Sequence, residues 1–193
     1  MPRNKDRLYL ALYSRPGGEK PVMPGKEDTH HWALLVGPKN ETKSSQGTKC
    51  HAKDLIIFDD SAKGKETVKT GFQFEERQIW MTAIDLIVVR VLIAKVLDRD
   101  RLLDVLRGTR VKKHGDAGGW NSVTWTKDAL DRLTREDGIL GTSVIEFETV
   151  RHTAMWYVDE KTSQHRFDGK ATGTFDKAKV PTWDLLHDRE LEA

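Results

Sequence analysis

The chain has 193 residues and a mass of 22.0 kDa, a length that suits one domain with at most a small appendage. Hydrophobic residues make up 37%, and the 6 Trp, 6 Phe and 3 Tyr are too many apolar anchors for a chain that never packs. Lys and Arg total 32 against 30 Asp and Glu, a net charge of +2, so the balance gives no support for nucleic-acid binding or a polybasic membrane contact; the single cysteine, Cys50, excludes a disulfide framework and a Cys-rich zinc site.

The first residues, Met1 to Arg7, carry charge but are not followed by the apolar core of a targeting peptide. Arg7 to Ser14 is apolar and aromatic and stops at Arg15-Pro16-Gly17-Gly18, which reads as a strand ended by a turn. Residues 15–29 hold three prolines and three glycines and read as a loop. His31 to Val36 reads as a second strand, closed by Gly37-Pro38. Residues 38–47 form a polar connection, Thr48 to Lys53 the return strand, and Asp54 to Phe58 an extended continuation. A polar loop is expected over 59–70 and a strand over Phe72 to Trp80, where the alternation of apolar and polar residues is imperfect.

Residues Asp85 to Val96 are rich in Val and Ile and read as a buried strand, with a helix as the alternative for so short an apolar run. The run is too short to span a bilayer, and Arg90 and Lys95 interrupt it, so a cytoplasmic protein without an integral membrane segment is expected. Helices are expected over Asp98 to Leu106, Asn121 to Arg135 and Glu146 to Thr162, with a basic, glycine-rich loop over 108–119. The tail after Phe167 reads as loop, with Trp183, Leu185 and Leu186 as a docking patch. Strands come first and helices later, with helices flanking the strand at 85–96, a segregation that points to an α+β fold.

Three features point to chemistry. His31 opens the second strand and His51 lies on the returning one. Side chains alternate faces along a strand, so a hairpin of 31–36 with 48–53 places both imidazoles on one face, where one can act as base and the other orient it. Either histidine is equally explained as a strand cap or a packed interior residue. The third feature is Trp120-Asn121-Ser122-Val123 at a helix entrance. A nucleophile there sits at the positive end of the helix dipole, beside backbone N–H groups able to hold an oxyanion. The structural reading of the same segment is that Asn121 or Ser122 caps the helix.

Taken in order, Arg7 to Pro16, His31-Trp32-Ala33-Leu34-Leu35-Val36-Gly37, Cys50-His51 and Asn121-Ser122 resemble the lecithin retinol acyltransferase-like group of permuted papain-like (NlpC-type) thiol enzymes. The stretch around position 122 is also similar to uncharacterised fungal proteins carrying Trp-Asn-Cys-Val. The resemblance covers residues 7–135 and implies a papain-like domain over 1–135, its antiparallel sheet packed on a nucleophile-bearing helix, with 136–193 as a helical extension on the same domain. It implies His31 as base, His51 as orienting residue and position 122 as nucleophile, acting on a small-molecule, acyl or peptide substrate with no metal or organic cofactor. Two departures stand out: a longer spacing between the histidines, and Ser122 where the group has Cys. A hydroxyl needs far stronger activation than a thiol. Ser122 is therefore read as a serine-hydrolase variant, as a substitution that disables or traps a thiol enzyme, or as the mark of a non-catalytic binding module that keeps the cleft.

Cys50 neighbours His51 in a strand and should face the other way, as a small buried residue. Trp120 and Trp125 flank position 122 and line a substrate pocket or pack in the core. His30 should face away from His31, and His114 lies in the basic loop. His152 and His165 have no ligand-like spacing.

Overall fold

A computed structural model describes residues 5–15, 20–59, 67–82, 86–112, 119–171 and 173–193. Its strands are β1 (Arg7–Tyr13), β2 (His31–Gly37), β3 (Gln46–Asp59), β4 (Thr67–Trp80), β5 (Ile87–Val96), β6 (Leu140–Ser143), β7 (Thr182–Asp184) and β8 (Arg189–Glu192). Its helices are α1 (Arg99–Arg107), α2 (Ser122–Leu133) and α3 (Phe147–Ser163), and a 3-10 turn covers Glu27–Thr29. The fold is α+β.

The strands make one sheet in the order β4-β3-β2-β1-β5-β7-β8, with β6 also on β5. Pairing is antiparallel except between β5 and β7. β1 lies at the centre because its seven residues are all buried, so both faces need cover. Alternation along β1 sorts the core into two. Leu8, Leu10 and Leu12 join Trp32, Leu34, Val36, Cys50 and Ala52 on the face covered by the helices, through Val123, Trp125, Leu130, Val150 and Ala154. Tyr9, Ala11 and Tyr13 join Ala33, Leu35, Ile79, Met81, Leu92 and Val180 on the other face. Truncating a fully buried leucine such as Leu10 to alanine costs about 2–5 kcal/mol in lost transfer energy and cavity formation.

The helix starts follow their caps. Asp98 accepts the Arg101 amide before α1. The Asn121 carboxamide oxygen accepts the Val123 and Thr124 amides before α2, at 2.9 and 3.3 Å. Glu146 accepts from Glu148 and Thr149 before α3. α2 lies on β2 and β3, and α3 crosses β5 and β1.

Three features depart from the sequence reading. The strand expected over 48–53 and the extension over 54–58 are one 14-residue strand, β3, paired along its whole length with β4. Asp59 and residues 67–70, expected in a loop, belong to those strands; 60–66 lie outside the described residues. Residues 136–193 are only partly helical: β6 adds to β5, and the tail expected to be loop contains β7 and β8. The apolar run is strand β5, not a helix; Asp85, its expected first residue, is outside the described residues.

Candidate active site

The ladder between β2 and β3 runs only from Val36↔Thr48 to Leu34↔Cys50. Beyond Leu34 the strands part, and β3 continues as an arm with β4. His31 and His51 stand where they part. His31 is opposite Tyr13 in β1, and Lys49, one position-pair before His51, places its ammonium 3.8 Å from the Tyr13 ring centre. Both imidazoles therefore lie on the sheet face of Tyr13, Ala33 and Leu35.

They are in direct contact. His31 Nε2 is 2.6 Å from His51 Nδ1, with the rings edge to face. His51 Nε2 is 2.9 Å from Glu75 Oε2, and Lys53 Nζ donates to Glu75 Oε1 at 2.7 Å. At the other end, an Arg15 guanidinium nitrogen is 3.4 Å from His31 Nδ1 and 3.4 Å from Asp54. Register supplies Glu75, which lies directly opposite His51.

The chain fixes the tautomers. Glu75 is an anion held down to about pKa 2, first by the Lys53 hydrogen bond and then, against burial, by that of His51. As an anion it only accepts, so His51 carries its proton on Nε2 and offers the Nδ1 lone pair. His31 must then donate from Nε2, which leaves its Nδ1 unprotonated. That assignment agrees with Arg15, which only donates. Of the four ring nitrogens, three are committed at short distance. The fourth, His31 Nδ1, faces only Arg15, at the outer limit of a hydrogen bond. Both rings are neutral at pH 7. Burial first, then His51 and Lys49, lowers His31 to about 2; burial first, then Lys49, lowers His51 to about 4 against the pull of Glu75.

Ser122 is the first residue of α2 and fully buried. It arrives from the opposite side of the sheet, since α2 packs on the face of Trp32 and Cys50. Its hydroxyl accepts the Trp32 amide at 3.2 Å, against the peptide that joins His31 to Trp32. Neither imidazole hydrogen-bonds Ser122 in this arrangement. The structure thus brings His31 and His51 together on one face of the sheet, while Ser122 lies on the other and touches β2 at the Trp32 amide.

The expected oxyanion donors are reduced. Asn121, not Ser122, is the cap, and its side chain consumes the Val123 and Thr124 amides. The Ser122 N–H has no partner among the described residues, and Asn121 Nδ2 rests on Met23 Sδ at 3.4 Å.

Trp125 is fully buried against Phe74, and Trp120 packs edge-on to Phe72, so both rings serve the core. Cys50 is buried among apolar residues, with burial first and Glu76 second raising its thiol to about 12; it faces away from His51 as expected. His30 turns from His31, with Nδ1 buried and unpartnered. His152 is exposed, and His165 pairs with Asp168 at 2.8 Å. His114 lies outside the described residues. Among the described residues no group of three or more His, Cys, Asp or Glu is placed to hold a metal ion, and no helix is long and apolar enough to cross a membrane.

The sequence reading missed Glu75, Lys53 and Arg15. The alternation of Phe72 and Phe74 with Gln73 and Glu75 is the signal that puts Glu75 on the polar face.

The chain matches, over residues 5–192, the model of a family described as a family of unknown function, DUF6914, and belongs to that family. No curated protein matches it. No solved structure matches it either.

Proposed function

We propose that the chain is a permuted papain-like acyl-transfer or hydrolytic protein with serine in the nucleophile position, acting in the cytoplasm. The observation that carries this reading is the ordered chain Glu75–His51–His31, which leaves the His31 Nδ1 lone pair facing only the long Arg15 contact, with Ser122 reaching the same strand through the next residue's amide. His31 Nδ1 takes the proton from the group at position 122, whose heteroatom bonds the carbonyl carbon of an ester, thioester or amide. The carbonyl oxygen becomes the oxyanion, met by the Ser122 N–H and the Asn121 carboxamide. Collapse expels the leaving group, which takes the proton from His31, and water or an amine then releases the acyl group. His51 and Glu75 act as positioning residues that fix the ring and support its positive charge.

The resting state is neutral, and a base lowered to about 2 is weak against a serine hydroxyl. A thiol at the same position forms its anion far more readily, and that anion in turn raises the His31 pKa. With Ser122 the reaction is slow.

A second reading, a non-catalytic binding module on the same cleft, is favoured by one observation: the Ser122 hydroxyl is fully buried and tied to the Trp32 amide rather than to His31.

Intact mass after exposure to an electrophilic acyl probe separates the two. The catalytic reading expects one adduct on Ser122→Cys, lost when His31→Ala is added. Adduct on the unaltered chain that is lost with His31→Ala identifies a true serine nucleophile. No adduct at 122 in either background refutes catalysis and leaves the binding module.

A further inference from the structure

Arg90 interrupts an aliphatic strand. It sits in β5 between β1 and β7, only 4% exposed, where an uncompensated charge is costly. Its guanidinium lies over the Tyr9 ring, donates from Nε to Thr182 Oγ1 at 2.7 Å, and donates from Nη2 to Glu41 at 2.8 Å. The other Glu41 oxygen accepts from Tyr9 OH at 3.4 Å. Glu41 comes from the polar connection between β2 and β3, so the chain's own carboxylate occupies a buried receptor built on rigid strands.

A cavity of about 250 Å³ opens on this group. That is close to the lower bound, about 300 Å³, of pockets that hold small molecules. Its acidic side chains are already engaged: Glu41 by Arg90, Glu192 by Lys179 at 2.9 and 3.0 Å, and Asp176 by the Ala178 amide. Its donors are not. Arg90 Nη1 reaches only the Met81 carbonyl, at 3.4 Å; the Thr82 hydroxyl is buried with no partner; and Lys43 has no ion pair among the described residues. Spare donors around a cavity whose acceptors are satisfied define a ligand that accepts.

We propose that this cavity binds a small oxyanion ligand, a carboxylate or phosphate, through Arg90 and Thr82, in competition with Glu41. Tyr9, under the Arg90 guanidinium, is four residues along β1 from Tyr13, roughly 13 Å at about 3.3 Å per residue, so this site is separate from the imidazoles and independent of the reading given to them.

Calorimetric titration of the whole chain with succinate and, separately, with inorganic phosphate tests it. Saturable binding of either probe is expected; tighter binding of succinate assigns a carboxylate ligand, and the reverse a phosphate. Thr82→Val, which keeps the shape and removes the donor, weakens binding about fivefold. Glu41→Gln removes the internal competitor and tightens it about tenfold. Arg90→Lys loses the guanidinium donors and abolishes binding. Should that variant fail to fold, the Thr82 and Glu41 variants decide. No saturable binding in the chain and in Glu41→Gln, or affinities unmoved by both Thr82→Val and Glu41→Gln, overturns the proposal.

Discussion

Glu75→Gln tests the hydrogen-bond chain at its anchor. The substitution keeps the size of the side chain and removes the anion that dictates every tautomer upstream. The His51–Glu75 bond is 2.9 Å long and half of it is buried, since the His51 side chain is only 5% exposed. Losing a hydrogen bond to a charged acceptor there costs about 2 kcal/mol. The Lys53–Glu75 pair, with Lys53 45% exposed, adds at most about 0.5 kcal/mol after solvent screening. For a chain of this length the sum, about 2.5 kcal/mol, lowers the melting temperature by about 5–10 °C. Nitrogen-detected NMR of the imidazoles reads the second consequence. In the unaltered chain both rings are neutral with the proton on Nε2 at pH 7. In Glu75→Gln the amide can donate to His51 Nε2, which reverses the chain and puts the His31 proton on Nδ1, the atom the base needs free. Unchanged stability together with unchanged tautomers would refute the argument that Glu75 orders the pair.

Acid should destabilise the fold from about pH 6.5 downward. His31 and His51 are lowered in the folded chain, so the unfolded chain binds more protons below 6.5, and stability falls with pH towards the folded values of about 2 and 4. Glu75, lowered to about 2 from 4.5, adds in the same direction below pH 4.5. Denaturant midpoints measured from pH 8 to pH 4 check this; a flat profile between pH 7 and 5 contradicts it. Cys50 should resist alkylation in the folded chain at pH 8, because burial keeps it a thiol, and react on unfolding; fast labelling of the native chain would contradict the core placement. Asn121→Ala removes the acceptor for two amides at the start of α2, and chemical denaturation should show a loss of about 1 kcal/mol; an unchanged midpoint contradicts the cap.

Alternation made the histidine pair legible, because residues two apart on a strand share a face whatever surrounds them. The same rule turned Cys50 inward. The helix starts at Asp98 and Asn121 were legible from capping chemistry, which acts within three residues. Glu75 was not, because its role depends on register across a hairpin whose turn the sequence leaves undefined. The position of α2 was not either: alternation says that Trp32 and His31 face opposite ways, but only long-range packing decides which face the helix covers. β7 and β8 are three and four residues long, too short for a periodic pattern, and exist because β5 leaves an edge to be paired.

The ionisation of a thiol at position 122 tests the central claim most directly. In Ser122→Cys, the pH dependence of iodoacetamide reaction gives that thiol's pKa, with Cys50 silent in the core. If His31 Nδ1 serves position 122, the thiol titrates well below about 8.5 and returns to that value or above in the double variant with His31→Ala. A thiol that titrates above about 8.5 in both backgrounds, as burial alone dictates, would contradict the assignment of His31 as the base.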